Sequence, residues 1–156
     1  MARTETGSAT SLEVRKTVAA PPAKVFRAWT DPKAVMVWFP PEGYEAAPTT
    51  IDLRPGGIYR WGLRKLPDGE PFFSTGRFIE IEAPRRLVCT WRWSSAPETK
   101  DDTVLTIELL DRGGSTEVVL RHDRFPDVNM RNQHEQGWTH CLAQLEDFIN
   151  KEEKKR

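Results

Sequence analysis

The end of the chain constrains the fold most. From Met130 to Ile149 apolar residues fall at Met130, Trp138, Cys141, Leu142, Leu145, Phe148 and Ile149, a spacing that gathers them on one face of a helix. Phe125-Pro126-Asp127 precedes it as a turn, with Asp127 and Asn129 as candidate caps. A helix from Met130 to Lys151 spans roughly 33 Å at 1.5 Å per residue. That is the width of a small domain, so the helix must lie across something broad. Almost everything before it reads as strand, and one long helix on a curved antiparallel sheet tends to leave a hollow between them.

The strands follow from alternation and turn residues. Leu12–Val18 alternates and reads as the first. Ala20-Pro21-Pro22 then opens a helix carrying Val25, Phe26, Ala28 and Trp29, and a second short helix, Lys33–Trp38, restarts behind Pro32 with Thr30 or Asp31 as its cap. After the loop at Pro40-Pro41-Glu42-Gly43, strands are read at Thr49–Leu53, Ile58–Leu63, Phe72–Ile81, Leu87–Trp93, Val104–Leu109 and Glu117–His122. Arg54-Pro55-Gly56-Gly57, Pro67-Asp68-Gly69, Glu82-Ala83-Pro84-Arg85 and Asp111-Arg112-Gly113-Gly114 separate them as turns. The short connections make the last six strands a sequential antiparallel meander.

Composition narrows the function classes. A chain of 156 residues is read as one domain with a real core. The reading takes residues 1–10 as a disordered tail, 11–152 as the domain and 153–156 as a charged C-terminal tail. Lys plus Arg equals Asp plus Glu at 23 each, which argues against a nucleic-acid binder working by bulk charge. No stretch resembles a signal peptide or a membrane span. Cys89 and Cys141, far apart in sequence, suit a reducing compartment better than a disulfide scaffold. A cytoplasmic protein is expected, with no membrane insertion.

Catalytic motifs are scarce. His134-Glu135 resembles the start of a zinc-protease His-Glu-x-x-His helix, but the fifth position is Trp138. No nucleophile elbow, phosphate loop or dinucleotide fingerprint occurs. His134 and Cys141 share a helix face and His122 ends the last strand, a set too sparse to read as a zinc site. No metal and no cofactor is expected.

Large aromatic residues, in contrast, are plentiful: six Trp, seven Phe and two Tyr. Period two places Leu87, Cys89, Trp91 and Trp93 on one strand face, Tyr59, Trp61 and Leu63 on another, and Thr116, Val118, Leu120 and His122 on a third. Together with the helix stripe these faces need a common interior. It can be packed core, or a cavity whose aromatic walls and few polar groups orient a ligand. Gly137, inside the helix beside Trp138, weakens the helix relative to alanine. It reads either as a close approach by a strand or ligand, or as a tolerated surface glycine.

Several segments resemble a known family. They are Val14–Pro21 continuing through Val25-Phe26-Arg27-Ala28-Trp29-Thr30-Asp31-Pro32 to Trp38-Phe39, the loop Asp52-Leu53-Arg54-Pro55-Gly56-Gly57, the strand Pro84–Trp91, and His134-Glu135-Gln136-Gly137-Trp138. In this order, over roughly Ser11 to Ile149, they resemble bacterial single-domain members of the activator of heat-shock-protein-90 ATPase homologue family, within the START-like helix-grip superfamily. The resemblance implies an α+β helix-grip fold: a curved seven-stranded antiparallel sheet wrapped around a long C-terminal helix, with two short helices between the first two strands. It also implies hydrophobic ligands such as lipids, sterols or polyketides, and cyclase or hydrolase activity in some relatives. Fold alone does not give function. The short stretch before Leu12 leads to the expectation that the extra N-terminal domain of the eukaryotic co-chaperone is absent.

The sequence therefore points to a non-enzymatic protein, in a stress-related setting, that binds a small hydrophobic or aromatic ligand between sheet and helix. Its expected walls are Trp38, Phe39, Trp61, Phe73, Trp91, Trp93, His122, His134, Trp138 and Cys141. Two alternatives stand beside it. One is a cyclase or dehydratase using His122 or His134 as acid and base. The other is a co-chaperone-like module with a protein partner or a homodimer.

Overall fold

Among the described residues, seven strands and three helices form largely where alternation and helical spacing place them. The computed structural model describes residues 10–94 and 102–154. In chain order the elements are β1 (Leu12–Val18), α1 (Pro22–Thr30), α2 (Pro32–Trp38), β2 (Tyr44–Ile51), β3 (Ile58–Lys65), β4 (Phe72–Glu82), β5 (Arg86–Trp93), β6 (Thr103–Asp111), β7 (Thr116–Asp123) and α3 (Val128–Lys154). The strands make one curved antiparallel sheet in the order β1-β7-β6-β5-β4-β3-β2. β1 returns to pair with β7, Leu12 opposite His122 and Val18 opposite Thr116. β2–β7 follow one another as a meander.

Alternation decides what faces inward. Leu87, Cys89 and Trp91 of β5, Tyr59, Trp61 and Leu63 of β3, and Val118, Leu120 and His122 of β7 are all buried on the concave side. The outer side carries paired charges, Arg15 with Glu13 along β1 and with Glu117 across on β7, and Arg86 with Glu80 and Glu108 on the two neighbouring strands. α3 lies along the concave side, packs against β1 and α2, and buries Trp138, Leu142, Leu145 and Ile149.

Capping follows the sequence closely. The Asp31 carboxylate accepts from the Lys33 amide at 3.0 Å and Pro32 opens α2. Asp127 accepts from the Met130 amide at 2.8 Å at the start of α3. Both caps satisfy amides that the first helical turn leaves without partners.

Four expectations are corrected. β2 starts at Tyr44 rather than Thr49, because the register shift between Ala47 and Thr50 accommodates Pro48. A strand tolerates proline at such a bulge, and on a sheet edge. The same shift explains Gly62, where a Cβ would stand 2.8 Å from the Ala47 backbone. Second, α3 continues to Lys154, and Lys24 bonds Glu153 at 2.9 Å, so residue 153 belongs to the fold and not to a tail. Third, Thr10 is already tied in, its carbonyl accepting from the Phe125 amide at 3.0 Å. The rest of the expected N-terminal tail lies outside the described residues. Fourth, Met130 is exposed: the first turns of α3 overhang the sheet, and the buried stripe begins only at Trp138.

Candidate functional site

The stripe on α3 is interrupted where the interior opens. Helical spacing from Met130 through Trp138 brings residues 134 and 137 to the inner side, and these are His134 and Gly137. Neither fills the space that a Leu or Phe would fill. Beneath them lies a recess of about 350 Å³. Gln133, His134, Gly137, Trp138, His140 and Cys141 of α3 form one wall, Leu63 of β3 and Trp91 and Trp93 of β5 a second, and Phe39 with Pro41 after α2 a third. Among the described residues, no Lys, Arg, Asp or Glu lines it.

The third wall is held by one side chain. Gln144, two turns beyond Gly137 on α3, donates to the carbonyls of Trp38 at 2.7 Å and Pro40 at 3.1 Å. These are carbonyls at the end of α2, which lack partners of their own within a helix. Gln144 thereby fixes Phe39 and Pro41 against α3. A polar residue near the rim of a greasy stripe was the only sign of this in the sequence.

Trp138 is oriented from behind. Its indole N–H donates to His122 Nδ1 at 3.0 Å. An indole can only donate, so His122 Nδ1 accepts and the ring carries its proton on Nε2. Nε2 then donates to Thr103 Oγ1 at 2.8 Å, and the Thr103 hydroxyl donates to the Trp91 carbonyl at 2.6 Å. The relay joins the two indoles, whose ring centres lie 5.0 Å apart. Burial pushes the pKa of His122 well down, and neighbouring His134 adds to the effect, so the imidazole is neutral and both nitrogens are engaged. It has no free position for acid–base work.

His134 faces the recess from the inner side of α3. Its Nδ1 faces the Met130 carbonyl at 2.9 Å, which assigns the proton to Nδ1 and leaves Nε2 as an acceptor. Burial lowers its pKa too, against the opposing effect of the Met130 bond. Burial pushes the thiol of Cys141 up to about 12, and Cys89 likewise to about 12. Neither is a nucleophile at neutral pH. Among the described residues no group of three or more His, Cys, Asp and Glu side chains could hold a metal ion.

The structure separates the ten expected wall residues. Phe39, Trp91, Trp93, His134, Trp138 and Cys141 line the recess. Trp38 does not: its N–H donates to the Ala28 carbonyl at 2.8 Å, which holds the ring between α1 and α2. Trp61 does not either, being packed among Trp29, Trp38, Phe39 and Trp91. His122 stands one layer behind, wholly buried. Phe73 is on the opposite side of the sheet. It pairs with Gly62, one position out of phase with the inward pair Trp61 and Ser74, and the Arg60 guanidinium sits 4.0 Å above its ring. No strand makes a close approach to Gly137, because a Cβ there meets nothing within 4 Å; the open space beside it belongs to the recess.

A curved antiparallel sheet closed over one long C-terminal helix, with an aromatic-walled recess between them, defines a START-like helix-grip domain. The family described as Activator of Hsp90 ATPase homolog 1-like protein matches residues 19–150, and the chain belongs to it. Among solved structures it is similar to a protein from Chromobacterium violaceum, with 27% identity, 90% of this chain and 97% of that one covered, and a TM-score of 0.79. A protein from Nitrosomonas europaea is similar at 26% identity, 96% and 99% coverage and a TM-score of 0.80. An HSP90 activator from Plasmodium falciparum shares the fold at 23% identity, 90% and 96% coverage and a TM-score of 0.71. No curated protein matches the chain.

Proposed function

We propose that the chain binds a small, uncharged, apolar ligand in the recess between α3 and the sheet, and does no chemistry on it. The observation that carries this reading is the gap in the α3 stripe at His134 and Gly137, walled by Trp91, Trp93, Trp138 and Phe39. A volume of about 350 Å³ falls in the range of small-molecule pockets, and apolar walls with a few polar groups are their usual makeup. The engaged nitrogens of His122 and the lack of a carboxylate in the wall among the described residues weigh against a cyclase or dehydratase. Two observations test the reading together. Native mass spectrometry of the purified protein should reveal a co-purified small molecule. Uncharged apolar compounds should raise the melting temperature, since a ligand at about 100 times its Kd adds roughly 2.7 kcal/mol to the native state. A diverse apolar library that gives no shift overturns the reading.

The second reading, a co-chaperone-like module, draws on the family's description. It takes first place if the library fails and an Hsp90 ATPase is stimulated by the purified chain.

A further inference from the structure

Beyond the recess, the interior holds polar groups that no protein group satisfies. Among the described residues, the indole N–H groups of Trp29 and Trp91 and the hydroxyl of Ser74 are buried without a hydrogen-bond partner. Such groups are rare in folded proteins and costly. All three adjoin Trp61: the Trp29 and Trp91 ring centres lie 5.9 and 6.0 Å from its own, and Ser74 is its cross-strand partner. Trp29 and Trp91 also bound a void of about 20 Å³, and Trp91 bounds the recess as well. Trp91 thus stands between the outer space and the inner one. The indoles of Trp38 and Trp138, in contrast, are engaged, with the Ala28 carbonyl and with His122.

We infer that the ligand is an uncharged apolar molecule carrying a hydrogen-bond acceptor oxygen, a ketone or similar carbonyl, which the Trp91 indole N–H receives at the inner end of the recess. The inference rests on the binding reading above and names its ligand class. The chemistry of the donors sets the class. An indole donates and never accepts, so the unmet need at the inner end is for an acceptor. The void is large enough for one oxygen atom; Phe78, Leu87, Leu105 and Ile107 give it apolar walls, and the Tyr59 hydroxyl, also in its wall, already donates to the Thr90 carbonyl at 2.6 Å. A carboxylate would also accept, but among the described residues no Lys or Arg lines the recess to offset the loss of its hydration. An all-carbon ligand would leave the N–H as unmet as before.

Three probes of one shape separate these cases: acetylnaphthalene, ethylnaphthalene and naphthoate, titrated into the full chain by calorimetry. The ketone should bind roughly tenfold more tightly than the ethyl compound, the ratio expected when a buried unpaired donor gains an acceptor. Naphthoate should bind weakest. The Trp91 indole N–H resonance, assigned through its contacts with the Trp138 and His122 rings, should move downfield with the ketone and stay in place with the hydrocarbon. Trp91→Phe should bring the two affinities within about twofold; the ratio and the resonance in the unmodified chain decide the matter even if that variant is unstable. Equal affinity for ketone and hydrocarbon, as when a resident water already serves the indole, overturns the acceptor inference and leaves the binding reading standing. Tightest binding of naphthoate overturns the uncharged class. Binding of none of the three overturns both.

Discussion

The Trp138 indole donates to His122 Nδ1 across 3.0 Å, and that bond ties a wall of the recess to β7 of the sheet. It fixes the tautomer of His122, and through Thr103 it reaches the backbone of Trp91 on the facing wall. Trp138→Phe keeps most of the ring and removes the donor. The imidazole nitrogen is then buried without a partner, at a cost of about 1–3 kcal/mol. Urea unfolding of this variant, of His122→Leu and of the pair should give a coupling of roughly 0.5–3 kcal/mol. Additive losses would show that the bond contributes nothing of its own.

Stability should fall on mild acidification, and the sign follows from burial. His122 has its pKa lowered well below the ordinary histidine value, by burial first and His134 second. Above a pH of about 6.5 the ring is neutral in both folded and unfolded chains and contributes no pH dependence. Below it the unfolded chain takes up a proton that the native state refuses. Stability then drops by up to about 1.4 kcal/mol per pH unit until the folded pKa is reached. His134, lowered in the same direction, steepens the same window. Glu13 and Glu117, whose pKa values are lowered chiefly by bonds to Arg15 and Arg112 respectively, act in a separate window below about 4.5. Urea unfolding at several pH values between about 7.5 and 5 should show the slope, and His122→Asn should flatten it. An unchanged slope in that variant would assign the effect elsewhere.

Gly137→Ala should make the protein more stable and a worse binder. A Cβ at this position meets open space, and alanine is about 0.8–1 kcal/mol better than glycine inside a helix. The same methyl group projects at the recess wall and narrows it. Thermal unfolding together with the affinity for acetylnaphthalene checks both halves. A variant that gains stability and binds as well as the parent would place the ligand away from Gly137.

Most of the fold was legible in the sequence because two periodicities, two and 3.6, carry it. The concave faces of β3, β5 and β7 and the buried part of α3 follow directly from residue spacing. Pro48 hid the first half of β2, since an edge bulge has no signal of its own in one sequence. Phe73 was misplaced because parity along β4 could not be anchored without knowing that Trp61 and Ser74 pair inward. The recess itself has a signal in the sequence. His134 and Gly137 occupy inward positions of α3 where the stripe should continue, and a missing side chain there means missing volume. Trp38, Trp61 and His122 could not be sorted from the recess by type, because their buried hydrogen bonds and ring contacts depend on tertiary neighbours.

Removing Leu142–Arg156 should abolish cooperative folding. It deletes Leu142, Leu145 and Ile149, all buried against the sheet, and each large apolar side chain contributes about 1.5–3 kcal/mol when buried. That loss is comparable to the whole stability of a typical domain, about 5–15 kcal/mol. Circular dichroism and a urea titration of the truncated chain suffice. A cooperative transition would mean that the sheet holds together without its helix.

The central claim is that the ligand sits between α3 and the sheet. Isotope-filtered nuclear Overhauser spectroscopy on the labelled chain saturated with acetylnaphthalene tests it most directly. The account predicts contacts from the probe to Gly137, the His134 ring, Trp93 and the inner edge of Trp91, with none to Phe73 on the outer face. Saturable binding whose contacts fall on the outer face, or on the exposed Met36 and Val37 of α2, would contradict it.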